Sequence, residues 1–214
     1  MRTITILLLL IIQTFVFGQS DPAFWVKTGL SKKVNKKFDI DLSLENRWTE
    51  GLAFHQTYFG EIGLSFNPNK QFTLSGFYRL INRRKNETSP YNTRHRFFAD
   101  LSYSKKFGIL KLKNRVRYQN QFRDTDNEIA FDKSYLRNKL EFGLDNKSIF
   151  EPYISADLFY QMGGGFEEIR WKVGSDIKLT KSHRLDIGGF LSQPIGLNFG
   201  NRRFVIDVSY KYRF

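Results

Sequence analysis

Along much of this chain, apolar and polar residues alternate one for one. The clearest run is the last: Phe204, Ile206, Val208, Tyr210, Tyr212 and Phe214 take every second position, and Arg203, Asp207, Ser209, Lys211 and Arg213 fill most of the gaps. A period of two puts the two sets on opposite faces of a β-strand. The same rhythm runs through 38–48, where Phe38, Ile40, Leu42 and Leu44 alternate with Asp39, Asp41, Ser43, Glu45 and Arg47. A face this charged does not suit a dry soluble core, where every ion must be paired or neutralised. It suits a strand with lipid on one side and a wet, polar lumen on the other.

Read in order, the alternation predicts eleven strands. They span 24–32, 38–48, 54–66, 72–83, 97–103, 110–122, 136–144, 153–160, 169–179, 185–191 and 203–214. In the third, Phe54, Tyr58, Ile62, Leu64 and Phe66 are expected to share the apolar face; in the sixth, Asn114 and Asn120 interrupt it. Short turns at 33–37, 67–70, 105–108, 145–150 and 180–183 alternate with mostly longer connections at 49–53, 84–92, 124–133, 162–168 and 193–202. That alternation of lengths is the arrangement of outer-membrane proteins, so the predicted fold is all-β: an antiparallel up-and-down transmembrane β-barrel of ten to twelve strands. Even counts are the rule for such barrels, so an odd eleven implies that the first strand lies outside the wall or is split in two.

Composition sharpens this reading. The 214 residues suffice for one barrel and no second domain. No cysteine is present, which excludes disulfides, thiolate metal sites, thiol catalysis and a cysteine-anchored lipid. Mean hydropathy is −0.43, a value that a barrel with a polar lumen shares with soluble proteins. The N-terminus carries Arg2, an apolar run over Ile6–Ile12 and a small residue, Gly18, before Gln19. It reads as a secretory leader over 1–18, with the barrel over 19–214, and the run is shorter than the ~20 apolar residues of a membrane helix. The formal charge of +13 becomes +12 when Arg2 leaves with the leader.

The inward set expected to line the lumen includes Arg47, Arg79, Arg115, Arg117, Arg137, Asp41, Glu45, Glu61 and Glu141. Its plain reading is a mutually paired polar filling. Its sharper reading is a narrow path whose basic excess favours anions; barrels between eight and sixteen strands fall between filled and open. Catalytic chemistry finds little support. His55 and His95 begin strands on the same side, but the spacing of a serine–histidine phospholipase is absent. Gly163-Gly164-Gly165 is followed by no Gly-Lys-Ser/Thr and reads as a flexible loop. The aromatics and bases occupy opposite faces, which suits a bilayer better than nucleic acid. A lipocalin-like soluble barrel would need an apolar lumen. No metal or cofactor is expected.

Four short pieces recur in a known pattern: Phe24-Trp25, Glu45-Asn46-Arg47-Trp48, Arg94-His95-Arg96-Phe97, and Arg115-Val116-Arg117-Tyr118-Gln119 followed by Phe122. With the leader and the aromatic C-terminus, the chain resembles the bacterial family catalogued as domain of unknown function 2490. The resemblance implies an outer-membrane barrel, often in Bacteroidetes-type bacteria, and brings no accepted activity and no catalytic residues.

Together these readings lead to a non-enzymatic outer-membrane barrel, structural or a narrow pore for small solutes, with an outer-membrane lipid-modifying enzyme as the alternative. Its expected partners are membrane lipid, lipopolysaccharide and the barrel-insertion machinery, which would read Phe214 in the final strand. Mature arginines gather near the long-loop rim, whereas Lys32, Lys33, Lys36, Lys37, Lys70, Lys105, Lys106, Lys147 and Lys181 gather near the short turns. Guanidinium binds phosphate bidentately, so Arg83, Arg84, Arg94, Arg96 and Arg123 are expected to anchor lipopolysaccharide phosphates.

Overall fold

The computed structural model describes residues 22–125, 128–145, 148–196 and 201–214. The leader expected at 1–18 and Lys147 lie outside these residues. Eleven strands follow one another: β1 (Ala23–Lys33), β2 (Phe38–Thr49), β3 (Phe54–Phe66), β4 (Phe72–Arg83), β5 (Asn92–Phe107), β6 (Leu110–Asp124), β7 (Ile129–Leu144), β8 (Phe150–Gln161), β9 (Gly165–Lys178), β10 (His183–Pro194) and β11 (Arg203–Arg213). Each pairs antiparallel with the next, and the sheet closes on itself into a barrel.

The closure answers the question raised by the odd count. β1 is neither outside the wall nor split. It pairs in parallel with β11, from Ala23 opposite Val205 to Ser31 opposite Arg213. An odd number of strands leaves first and last pointing the same way, so a parallel ladder is the only seam available. The last residue locks it: the Phe214 N–H donates to the Ser31 carbonyl at 3.0 Å, and the Lys33 N–H donates to the Phe214 carbonyl at 3.3 Å.

The connections on one rim are tight. On the other they are shorter than the alternation suggested, because pairing outlasts the apolar band. β6 and β7 stay paired to Asp124 and Ile129, and β9 begins at Gly165. In these extensions Ile129, Phe131 and Phe166 also stand out from the wall, but a register shift puts them out of phase with the rest of β7 and β9, so the period breaks while the backbone ladder continues. Three register shifts lie on this loop side: between Arg47 and Trp48, between Gln121 and Phe122, and between Phe159 and Tyr160. The first corrects the expectation for Phe54. Arg47 pairs with Thr57 but Trp48 with His55. The extra residue, Gln56, changes the facing of what precedes it, and Phe54 is buried at 3% exposure instead of facing out.

Elsewhere the two faces are cleanly sorted. Leu44 (63% exposed), Ile62, Leu64, Leu74, Leu101, Phe142, Ile154 and Val173 (66%) stand out from the wall, while Glu45, Arg79, Asp100, Arg117, Glu141 and Asp157 are buried within it. This is the reverse of a soluble protein, whose apolar side chains go inside. The outward asparagines are accounted for by cross-strand partners. Asn114 donates to Asn138 Oδ1 at 3.3 Å, and Asn120 Oδ1 accepts from Ser134 Oγ at 2.6 Å. A small apolar cluster of Ala23, Phe190 and Val205, with Trp25 against it, packs inside the seam.

Candidate functional site

Strand alternation carries one inward residue in two toward the axis, and the register assembles ten of them into a belt around the interior. Arg47 Cζ lies 3.5 Å from the Trp25 ring centroid and 4.9 Å from that of Phe59. Arg79 lies 4.0 Å from Phe59 and 5.3 Å from Phe98, and Arg117 3.8 Å from Phe98. Arg137 lies 4.0 Å from Phe159, and Arg170 reaches Phe159 at 4.4 Å and Phe190 at 5.5 Å. Phe190 meets Trp25 edge-on at 4.9 Å, which brings the belt back to β1. Within the belt, cation faces cation between β6 and β7, where Arg117 stands opposite Arg137.

Each belt arginine also holds a carboxylate. Arg47 Nε donates to Glu45 at 2.7 Å. Arg79 Nε donates to Glu61 at 2.7 Å. Arg117 binds Asp100 through two nitrogens at 2.6 and 2.7 Å. Arg137 binds Asp157 at 2.5 Å, with Arg115 at 3.6 Å from the same oxygen. Arg170 binds Glu168 at 2.6 and 3.2 Å. A guanidinium can do both because its plane offers a face to a ring and its edge to a carboxylate. Ion pairs continue on the turn side: Lys113 and Lys139 share Glu141 at 2.5 and 2.8 Å, and Lys172 joins Asp186 and Asp207 at 2.8 and 2.6 Å. Asp41 accepts from Lys211 at 2.8 Å. Belt rings are 2% to 7% exposed at Phe59, Phe98, Phe159 and Phe190, so the belt fills the interior.

Above the belt, toward the loop rim, the interior opens into a cup of about 230 Å³ lined by Trp25, Arg47, Gln56, Arg79, Arg83, Arg94, Arg96, Gln121, Glu168, Arg170 and Arg203, among others. Its charge is one-sided. Among the described residues Glu168 is the only carboxylate in the lining. Arg47, Arg79 and Arg170 are paired as above, whereas Arg83, Arg94, Arg96 and Arg203 have no carboxylate partner among the described residues. Arg96 Nε donates to Gln121 Oε1 at 3.2 Å. Arg94 Nε is buried and has no hydrogen-bond partner.

The five arginines expected to face lipopolysaccharide therefore divide. Arg83, Arg94 and Arg96 line the cup. Their positions share parity with Arg79 and Phe98, and that parity holds up to the rim. Arg84 is bound into the 84–91 loop, donating to the carbonyls of His55 at 2.9 Å and Glu87 at 3.0 Å and lying over the rings of Phe54 and Tyr91. Arg123 pairs with Asp132 at 2.8 Å. The inward aromatics Phe59, Phe98 and Phe159 were legible by the same rule, since they sit two positions from Glu61, Asp100 and Asp157. The cup needed the register as well.

The histidines stand on the outer wall beside tyrosines. His55 Nδ1 is 3.0 Å from Tyr91 Oη and its Nε2 3.1 Å from Asn46 Oδ1. His95 lies between Tyr78 Oη at 2.8 Å and Asp124 at 2.9 Å. On the opposite rim His183 Nδ1 is 2.6 Å from Tyr210 Oη. Among the described residues no serine hydroxyl is bound to any of them.

The chain's sequence matches the family described as protein of unknown function, DUF2490, over residues 23–193, and it belongs to that family. No curated protein matches it.

Proposed function

We propose that this member of the family is an outer-membrane β-barrel without enzymatic activity, closed at its interior belt and open to small anions from the loop side. The observation that carries the reading is the reversal of the two faces: exposed Leu, Ile, Val and Phe outside, ion-paired Arg, Asp and Glu inside. Water would solvate the outer face poorly, and a bilayer would solvate it well. The His–Tyr pairs at both rims suit the two interfaces, where rings with a polar end are favoured. With tyrosine hydroxyls as their partners, His55 and His95 leave the lipid-modifying alternative without a serine nucleophile among the described residues. The belt would restrict passage, and the unpaired arginines above it would repel cations.

Two measurements test this. Fractionation of cells expressing the full chain is expected to place it in the outer membrane, with a mobility on gels that changes on heating as the barrel unfolds. In planar bilayers the purified protein is expected to give no steps or small anion-preferring ones. A soluble periplasmic protein, or large cation-selective steps, would overturn the reading.

A further inference from the structure

The cup combines three properties that point the same way. It carries four arginines without a carboxylate partner among the described residues, it is partly enclosed, and it contains a buried guanidinium nitrogen with no hydrogen-bond partner among them. Arg94 Nε is buried with no partner, and Arg96 has only the neutral oxygen of Gln121. Arg83 and Arg203 are more exposed and add two further cations to the lining. Like charges held together beside low-dielectric walls raise each other's energy. Such a cluster disfavours the empty state and favours an anion that can satisfy several donors together. The belt below it shows what a satisfied arginine looks like in this barrel: Arg117 holds both oxygens of Asp100. Arg94 and Arg96 have no such acid among the described residues.

We propose that the cup binds a small soluble phosphate ester, its phosphoryl oxygens held by Arg94 and Arg96, with Arg83 and Arg203 closing over it from the rim. Phosphate carries close to two charges at neutral pH and three acceptor oxygens, which match planar guanidinium forks better than a halide or a single carboxylate does. The volume of about 230 Å³ is below that of most pockets for drug-sized ligands and limits the remainder of the molecule to a small polar group. The inward facing of the cup favours a dissolved ester over a lipid headgroup, which would approach from the outer wall. The inference rests on reading the loop-side interior as open to anions. It does not depend on the belt's conductance, which a separate assay reads.

The test uses the full mature protein refolded in detergent micelles. Inorganic phosphate and pyrophosphate are titrated against chloride at constant ionic strength, by calorimetry and by thermal unfolding. Saturable binding is expected for both, with a rise in unfolding temperature that chloride does not produce. Arg94→Gln with Arg96→Gln is expected to weaken binding about tenfold or more, and to unfold at a higher temperature than wild type when no phosphate is present. The second result separates a ligand site from a structural one, because removing merely structural arginines would lower that temperature. Arg96→Lys, which keeps the charge and loses the fork, is expected to fall between. Lys37→Gln, in the opposite turn, is expected to bind as wild type does. Non-saturable binding, or equal affinity in the double variant, would overturn the proposal. Displacement of phosphate by a phosphorylated glycolipid carried in the micelle would overturn the soluble source in favour of a headgroup.

Discussion

Arg117 on β6 and Arg137 on β7 stand directly opposite each other on the inner face, two cations in one cross-strand pair. Like charges so placed are ordinarily destabilising. Here each is drawn away from the other by an acid on its far side: Asp100 on β5 for Arg117, and Asp157 on β8 for Arg137. Asp157 also faces Arg115 at 3.6 Å. Asp157→Asn is therefore expected to leave two partly buried guanidinium groups short of a counter-charge and to cost about 3 kcal/mol. Urea unfolding from micelles measures it. Arg137→Met added to Asp157→Asn is expected to recover part of the loss, and the non-additivity reads the pair itself.

Trp25 joins the two ends of the belt, with Arg47 3.5 Å from its ring on one side and Phe190 edge-on at 4.9 Å on the other. Trp25→Ala removes the ring and leaves Arg47 held by Glu45 and the Phe59 ring. Single-channel recordings are expected to show larger and more frequent steps for this variant than for wild type. Unchanged recordings would place the constriction elsewhere.

Gly63 is directly opposite Phe77 in the β3–β4 pair, and the Phe77 ring lies across it. A Cβ at this position would sit 2.0 Å from Phe77 Cδ1. Phe77 is itself stacked on Phe98, with centroids 4.9 Å apart and planes 16° apart. Gly63→Ala must displace a ring stacked on Phe98, and is expected to destabilise the barrel by about 2 kcal/mol. Gly76→Ala makes the control, since its Cβ meets nothing within 4 Å. Thermal unfolding of the two variants should separate them clearly.

In the turn after β7, the Lys106 ammonium binds the Asp145 carboxylate and holds its pKa down to about 2. An ordinary aspartate titrates near ~3.9. A carboxylate depressed in the folded state adds stability that is complete above its unfolded pKa and is lost as pH falls through its folded one. Wild type is thus expected to lose more stability between pH 5 and pH 2 than Lys106→Gln does, and the difference should shrink in high salt. Parallel pH curves for the two proteins would contradict this.

Phe214 carries two backbone hydrogen bonds across the seam and stacks on Tyr212 at 5.5 Å. Deleting it removes the closing contacts of the parallel ladder and the terminal aromatic together. Outer-membrane levels are expected to fall while anion binding by the surviving folded protein stays unchanged. Normal levels of the deletion would show that neither feature directs insertion.

The alternation of Phe38–Leu44 and Phe204–Phe214 made both the strands and their facing readable, because a period of two is a property of single strands. What depends on pairs of strands was less readable. Phe54 was misplaced by one unpaired residue, Gln56, which alternation alone does not reveal. The seam was missed for another reason: eleven strands imply a parallel closure, but the even-count rule for such barrels turned the reading toward a first strand outside the wall or split in two. The inward arginines were visible one at a time. Their sorting into belt members with acids and cup members without them required knowing that Arg94 and Arg96 on β5 meet Gln121, Arg79 and Arg203 around the barrel.

The odd count also makes the barrel a two-sided object for anything attached to it. Because β1 and β11 run the same way, Ala23 lies at the loop rim and Phe214 at the turn rim. A hairpin-built barrel with an even count delivers both ends of its chain to one compartment, where they can be tethered, tagged or masked together. This one brings the start of β1 and the end of β11 to opposite rims. A cargo joined ahead of β1 and another joined after Phe214 would be separated by the height of the barrel, and only the first would sit at the rim onto which the cup opens.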